Sequence, residues 1–255
     1  TLFKESSNQM IQYANNAFKT CGLSANDYME TTTSFAASML TSVGGNTQKA
    51  AELSNKAVVA MSDNANKMGT DMRDIQNAYQ GFAKQNYTML DNLKLGYGGT
   101  KTEMERLLKD ADALNAKQGV ITHYSIDSFG DITEAIQVVQ DNLGITGTTA
   151  QEAASTLSGS FGSMQAAWTN FIAQLAIGNS GQVQTAMQDL ATSASTFLFQ
   201  NLIPAVGNIF LQLPGAIGTF ITTSIPLLLE NGKMLISSIV QGWQQNKGQW
   251  KDTVN

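Results

Sequence analysis

Apolar side chains recur at steps of three and four residues from Ala50 to Phe82, and this period constrains the fold more than any other feature. Gly69 to Asp71 interrupts the run and predicts its division into two helices. The spacing lies between that of a globular helix face and that of a coiled-coil seam. The positions are Ala50, Leu53, Ala57, Met61, Ala65, Met68, Met72, Ile75, Tyr79 and Phe82.

The rest of the chain repeats this helical pattern, and no segment has sustained strand alternation. Thr100 with Glu103, Thr102 with Glu105, Asp131 with Glu134, and Thr149 with Glu152 have the spacing of helix-start signals. The last pair opens an apolar face comprising Ala153, Leu157, Phe161, Met164, Trp168, Phe171 and Leu175. We therefore predict an all-α fold of elongated amphipathic helices and helical hairpins. The Met61–Phe82 stripe and the aromatic face predict assembly into an oligomeric helical bundle.

The composition changes near position 182. Residues 183–255 carry six of the chain's 35 charged residues, and none lies between Asp189 and Glu230. All three prolines, Pro204, Pro214 and Pro226, fall in this part and predict short or kinked helices. We predict an amphipathic helical region at 1–182 and an uncharged, proline-punctuated apolar helical segment at 183–255.

Two interpretations of the uncharged segment remain open: packing on sister chains, or membrane contact at a later step. The proline spacing is too short for one straight span of ~20 apolar residues. The candidate membrane-contacting residues are Phe197, Leu198, Phe199, Phe210, Leu211, Phe220, Leu227, Leu228 and Leu229.

Charge and cysteine content exclude several protein classes. Only 14% of the residues are charged, and the net charge of −5 argues against a basic nucleic-acid footprint, so we expect no sequence-specific nucleic-acid partner. Cys21 is the single cysteine, which leaves no intrachain disulfide. Thr1 stands where a start methionine would, so we expect the chain to be an internal piece of a longer protein.

The glycine-rich stretch Leu95–Glu103 (LGYGGTKTE) imitates a phosphate-binding loop but lacks its spacing. A P-loop needs glycine immediately before its lysine, whereas Thr100 precedes Lys101. No β-branched apolar strand precedes it either. We therefore interpret the stretch as a turn into a helix, with its glycines supplying positive φ where the turn requires it.

No constellation of residues predicts catalysis. His123 is the only histidine, so a zinc site lacks ligands, and no Gly-x-Ser-x-Gly elbow occurs. Ser158 to Ser163 has glycines at other spacings and predicts a helix interruption. We expect no catalytic residues, no cofactor and no bound metal.

Three stretches resemble a known family. Asn86 to Ala111 (NYTMLDNLKLGYGGTKTEMERLLKDA) closely resembles a segment of tail tape measure proteins of long-tailed bacteriophages that infect Gram-positive bacteria. Gly144 to Ser160 (GITGTTAQEAASTLSGS) and Gln165 to Asn170 (QAAWTN) are similar to that family's next recurrent block. The resemblance covers most of the chain and is densest at 86–175, but extended tape-like repeats are missing. We expect a terminal or folded portion rather than the ruler itself.

The resemblance implies a structural protein of the virion and no enzyme. Family members occupy the lumen of the tail tube, template tube assembly, set tail length and leave ahead of the genome at ejection. The implied partners are further copies of the chain in a trimer, the tail tube protein, tail-tip or distal tail proteins, and the host membrane during ejection. The implied location is the tail tube lumen or the tail tip. The alternative interpretation from another class is a membrane-active, pore-forming helical protein.

Overall fold

The computed structural model describes residues 3–178, 180–205, 230, 232–234 and 237. This part of the chain is helical and contains no β-strand, which confirms the all-α prediction for the described residues. The α-helices are α1 (Ser7–Thr20), α2 (Ala25–Thr33), α3 (Ala36–Ser42), α4 (Thr47–Met68), α5 (Met72–Phe82), α6 (Lys101–Lys117), α7 (Phe129–Asn142), α8 (Thr148–Ser155), α9 (Leu157–Ile177) and α10 (Ser180–Ser195). A 3-10 turn (Leu90–Leu93) precedes α6, and a π-helical segment (Thr196–Leu202) follows α10.

Helix α4 lies at the centre and contacts α1, α2, α3, α5, α7 and α8. Its apolar stripe continues into α5, so that Met61, Ile75, Tyr79 and Phe82 are all fully buried in one core. Burying Met61, Ile75 or Phe82 contributes about 1.5–3 kcal/mol each. The chain's own helices cover this stripe, so the stripe itself offers no open apolar face, and assembly into an oligomeric bundle stays a prediction.

The break between α4 and α5 is confirmed. Gly69 ends α4 with φ of +62°, a left-handed conformation that glycine adopts without a steric penalty. The Asp71 side chain then accepts a hydrogen bond from the amide of Arg73 at 2.7 Å and caps α5. The single periodic stripe therefore forms two helices, α4 and α5, which pack against each other.

Of the four predicted capping pairs, Thr100 with Glu103 is confirmed at the start of α6, and the pairs that begin at Thr102, Asp131 and Thr149 are wrong. The Thr100 hydroxyl accepts from the amide of Glu103 at 3.2 Å, so Thr102 lies inside the helix. The cap of α7 lies three residues before the predicted Asp131, because Ser128 accepts from the amide of Asp131 at 3.2 Å. Helix α8 begins at Thr148 after Gly147, which has no side chain with which to cap it.

Asp63 of α4 supplies the cap that α8 lacks. The side chain is fully buried, and its two oxygens accept hydrogen bonds from the amides of Gly147 at 2.7 Å and Thr149 at 2.9 Å. A carboxylate at a helix N-terminus is stabilised by the unpaired amides and the helix dipole. This contact holds α8 on the central helix, and no local pattern around Thr148 indicated it.

The predicted continuous face from Ala153 to Leu175 is broken at Thr156, which has an extended backbone and caps α9. Its hydroxyl accepts from the amide of Gly159 at 3.0 Å. The interruption predicted at Ser158 to Ser163 is therefore wrong in position, since these residues form the first turns of α9. Gly159 lets α8 and α9 approach, because a Cβ there would lie 2.5 Å from the carbonyl oxygen of Glu152.

Candidate functional site: the apolar surface of the C-terminal helices

Helix α9 turns its small residues inward. A secondary core joins Ala166 and Ala167 of α9 to Phe18 of α1. The Ser163 hydroxyl donates to the carbonyl oxygen of Phe18 at 3.1 Å, and Asn170 accepts from the amide of Ala25 at 2.8 Å. Both polar side chains are buried with their partners satisfied, so this face of α9 is fixed on α1 and the start of α2.

Several large apolar residues of α9 are exposed, while Met164, Phe171 and Leu175 are half-buried. Trp168 is 53% exposed and Phe161 is 43% exposed, and Leu157 and Ile172 are exposed beside them. No residue of α9 carries a charge. Ordinary amphipathic helices bury their apolar face, so a helix that buries serine and asparagine and exposes tryptophan has the surface of an interaction site.

The π-helical segment extends this surface. The ring of Phe197 is half-buried, with its centroid 5.3 Å from that of Phe161, while Leu198 is half-buried and Phe199 is 39% exposed. Asn201 is buried, and its side chain donates to the carbonyl oxygens of Ala154 at 3.4 Å and Thr196 at 3.1 Å. Three of the predicted membrane-contacting residues are thus beside α9. The others, Phe210, Leu211, Phe220, Leu227, Leu228 and Leu229, lie outside the described residues.

The proposed boundary between 182 and 183 lies inside α10, which runs unbroken from Ser180 to Ser195 and packs along α9. Lys19 of α1 and Asp189 of α10 form an ion pair at 2.6 Å. A search of the described helices finds none with the length and apolar character to cross a membrane.

The glycine-rich loop forms a hydrogen-bonded corner in front of α6. Gly96 has φ of +87°, and a Cβ on Gly99 would collide with the carbonyl oxygen of Thr88. Glu103 accepts from the amide of Gly98 at 3.0 Å, which ties the helix to its own approach loop. The glycines thus serve backbone geometry, as the sequence predicted, and a 3-10 turn rather than a strand precedes the loop.

Arg106 connects helix α6 to the glycine-rich loop. Its guanidinium donates to Glu103 at 2.6 Å and to the carbonyl oxygen of Gly96 at 2.8 Å, and it lies 4.3 Å from the centroid of the Tyr97 ring. The hydrogen bonds from Arg106 and from the Gly98 amide lower the pKa of Glu103 to about 2. Burial and the hydrogen bond to Asp110 raise the pKa of Tyr97 to about 12. The pattern is that of a structural ion-pair network.

An open groove of about 700 Å³ lies between α2 and α5 and has four carboxylates, Asp27, Glu30, Asp71 and Asp74, and one guanidinium, Arg73, in its lining. Asp71 is the cap of α5, and Asp27 accepts from the Ser24 hydroxyl at 2.6 Å in the first turn of α2. Two of the four carboxylates, Asp27 and Asp71, are therefore accounted for by the starts of their helices.

The single histidine and the single cysteine of the chain do not form part of a site in the described residues. His123 is exposed in the loop between α6 and α7. Cys21 is buried, which raises the pKa of its thiol to about 11. In the part of the chain that the structure describes, no three His, Cys, Asp or Glu side chains come together as a metal-ligand group.

Comparison of the chain with protein-family models, with curated proteins and with solved structures finds no match. The candidate site is therefore defined by its own geometry. The sequence analysis found the apolar residues of α9 but missed their direction. The signal that could have shown it was the complementary run of small residues, Ser160, Ser163, Ala166, Ala167 and Asn170, on the opposite side of the same helix.

Proposed function

We propose that this chain is a folded portion of a tail tape measure protein of a long-tailed bacteriophage. In this role it occupies the lumen of the tail tube or the tail tip, templates tube assembly, contributes to setting tail length and leaves at genome ejection. The observation that carries the proposal is the resemblance of Asn86–Ala111 to the family segment. The stretches at 144–160 and 165–170 support it.

The geometry of Asn86–Ala111 supports a structural role for that segment. Its distinctive residues are explained by folding: Gly96 and Gly99 by backbone geometry, Thr100 by helix capping, and Arg106 by the network at the loop. Because the glycines, Thr100 and Arg106 are explained by the geometry of the loop before α6, no ligand is needed to explain why the segment contains them. This favours a packing element over an enzyme.

The charge distribution supports a position on the path of the genome. The net charge is −5, and only 14% of the residues are charged. An acidic, weakly charged surface does not attract the phosphate backbone, so DNA would not be retained by a protein that must leave before it. The proposed partners are copies of the same chain in a trimer, the tail tube protein and distal tail proteins, with contact to the host membrane during ejection.

A short epitope inserted at Ile121 of the parent protein tests the proposal in the phage. Ile121 is 85% exposed at the tip of the loop between α6 and α7, where an insertion disturbs no buried contact. We expect purified tails to contain the epitope, intact tails to hide it from antibody, and triggered ejection to release it. A matched epitope on an outer tail protein should be accessible throughout.

Absence of the epitope from purified virions would contradict the proposal. So would full accessibility on intact tails, since a lumen protein is shielded by the tube. An epitope found only in the membranes of infected cells would favour the pore-forming alternative.

A further inference from the structure

Helices α9 and α10 pack along each other, and this C-terminal hairpin meets the rest of the chain through a small core. The main core extends through α1 to α7 and contains most of the largest fully buried side chains. At the hairpin, the buried residues are Phe18 of α1 with Ala166 and Ala167 of α9, and the half-buried Leu190 of α10 packs against them. Alanine buries little apolar surface, so the hydrophobic contribution to holding the hairpin on α1 is small.

Two cavities lie along the same boundary. One, of about 180 Å³, lies between α1, α8 and the hairpin, and its lining is mainly alanine, serine and threonine. The other, of about 150 Å³, lies between α1 and the hairpin and is lined by polar side chains that include Asn15, Gln174 and Asp189. Atoms beside a cavity lose the dispersion contacts that close packing provides. The hairpin therefore rests on α1 with incomplete packing.

The connection between α8 and α9 is a single extended residue. Thr156, with φ of −114° and ψ of 156°, follows α8 and precedes α9. Helix α8 is held on α4 by the buried carboxylate of Asp63, so it does not need the hairpin to stay in place. Beside this connection, Asn201 of the π-helical segment donates to the carbonyl oxygen of Ala154 at 3.4 Å. Rotation of the backbone at one residue between two helices is enough to move one helix relative to the other.

Two hydrogen bonds and an ion pair join the hairpin to α1 and α2 in the folded chain. Each hydrogen bond uses a backbone group of α1 or α2, and the ion pair lies at the surface, where the Lys19 side chain is 48% exposed. Water replaces each of these partners once the contact opens, and a surface ion pair is weak. The contacts are Ser163 to Phe18, Asn170 to Ala25, and Lys19 to Asp189.

We propose that the C-terminal hairpin opens away from α1 and α2, with Thr156 as the hinge, while α1 to α8 stay folded. Units with few buried apolar contacts open at a lower free energy than the core of the same protein. Opening uncovers Phe18 and the inward face of α9, a helix without a charged residue. The inference uses only the contacts of the hairpin and does not depend on the tail role.

Two thiols in one full-length molecule measure the opening. Ala167→Cys places a thiol in the small core beside Phe18, whereas the native Cys21 lies buried in the main core. Both positions are closed to a maleimide in the folded chain, so each thiol reacts only when its own region opens. We expect the thiol at position 167 to react at least about 100-fold faster than Cys21. Its rate should also rise less steeply with urea, because opening the hairpin exposes less surface than unfolding the chain.

Substitutions separate opening of the hairpin from unfolding of the chain. Asn170→Ala should raise the rates at both thiols about tenfold, because it destabilises the closed state relative to the open and the unfolded states alike. Asp71→Ala is the matched control: it removes the cap of α5, which stays folded in the open state, and should raise the rate at Cys21 alone. Asp189→Asn should raise the rate at position 167 about twofold to fivefold at low salt, which would show that α10 moves with α9.

A second thiol position and a folding control accompany these measurements. Ser163→Cys is nearly isosteric and lies on the same buried face of α9, so it gives an independent rate where Ala167→Cys disturbs the packing against Phe18. Because Cys21 is present in every variant, each rate is compared within one molecule by mass spectrometry of the digested protein. Helical circular dichroism shows that each variant is folded.

Three results would overturn the proposal. Equal rates and equal urea slopes at position 167 and Cys21 would show that the chain opens only as a whole. An equal acceleration of both thiols by Asp71→Ala would lead to the same conclusion. Unchanged rates in Asn170→Ala would show that the contact with Ala25 does not hold the hairpin closed.

Discussion

Replacing Asp63 by alanine tests how α8 is held on the central helix. The carboxylate is fully buried and accepts the amides of Gly147 and Thr149 at 2.7 and 2.9 Å. These amides belong to the cap and first turn of α8, and Gly147 offers no side chain of its own. Asp63→Ala therefore leaves two amide donors without their acceptor at the start of α8, where Gly147 is exposed and Thr149 is half-buried.

The magnitude follows from those two donors. An unsatisfied buried hydrogen-bonding group costs about 1–3 kcal/mol, and loss of a negative charge at a helix N-terminus adds about 0.3–1 kcal/mol. Removing the buried carboxylate also relieves its own desolvation, which offsets part of the loss. Water can reach the exposed Gly147 amide, so we expect Asp63→Ala to lower the free energy of unfolding by about 2 kcal/mol. Asp63→Asn should cost a similar amount, because its NH2 group is a donor and would face one of the two amide donors in place of an acceptor.

Urea unfolding followed by helical circular dichroism measures the change, with a constant slope showing that the midpoint shift reflects stability. Hydrogen exchange at the amides of Gly147 and Thr149 gives a local measure, and both should exchange faster in Asp63→Ala. The matched control is Asp71→Ala, which removes an exposed cap of α5 and should cost about 1 kcal/mol. If Asp63→Ala costs no more than this control, the buried carboxylate does not hold α8.

Two further predictions concern the close approach of α8 and α9 and the corner before α6. Gly159→Ala should destabilise the chain by about 1–3 kcal/mol, because its Cβ would lie 2.5 Å from the Glu152 carbonyl oxygen. Gly162→Ala, with nothing within 4 Å of its Cβ, should stabilise α9 by about 0.5–1 kcal/mol; equal effects of the two changes in urea unfolding would contradict this. An NMR titration should give a pKa of about 2 for the Glu103 carboxyl in the wild type. In Arg106→Gln the pKa should return toward its ordinary value of 4.5. Since the folded pKa is lowered, the stabilisation is present above about pH 4.5 and is lost as the pH falls toward 2; an ordinary pKa in the wild type would refute the network.

Sequence patterns predicted the helix ends correctly where the capping or terminating residue acts on backbone groups a few positions away. Thr100 caps α6 through the amide three residues later, and Gly69 ends α4 in a left-handed conformation. Both outcomes depend on backbone groups within a few positions. The apolar period of Ala50 to Phe82 gave the two helices α4 and α5 for the same reason, since helix periodicity is a local property.

Local signals failed where a distant residue completes the structure. Asp63 lies 84 positions before Gly147 and still caps its helix. At α7 the error is a local one: Ser128 and Asp131 are both suited to capping, and Ser128 accepts the amide of Asp131 while Asp131 accepts the amide of Ser125 at 2.9 Å. A capping pattern identifies which side chains are suited to the task, but the packing of the chain selects among them.

The sequence by itself determined the helical fold class, the glycine-shaped corner before α6 and the identity of the apolar residues, because each depends on local spacing and backbone freedom. Only the tertiary structure decided which apolar faces are covered. The Met61–Phe82 stripe lies in the core because five neighbouring helices and α5 close around α4, whereas Trp168 stays exposed because Ser163 and Asn170 fix the other face of α9. Both stripes have the same periodicity, and burial depends on contacts between residues far apart in the chain.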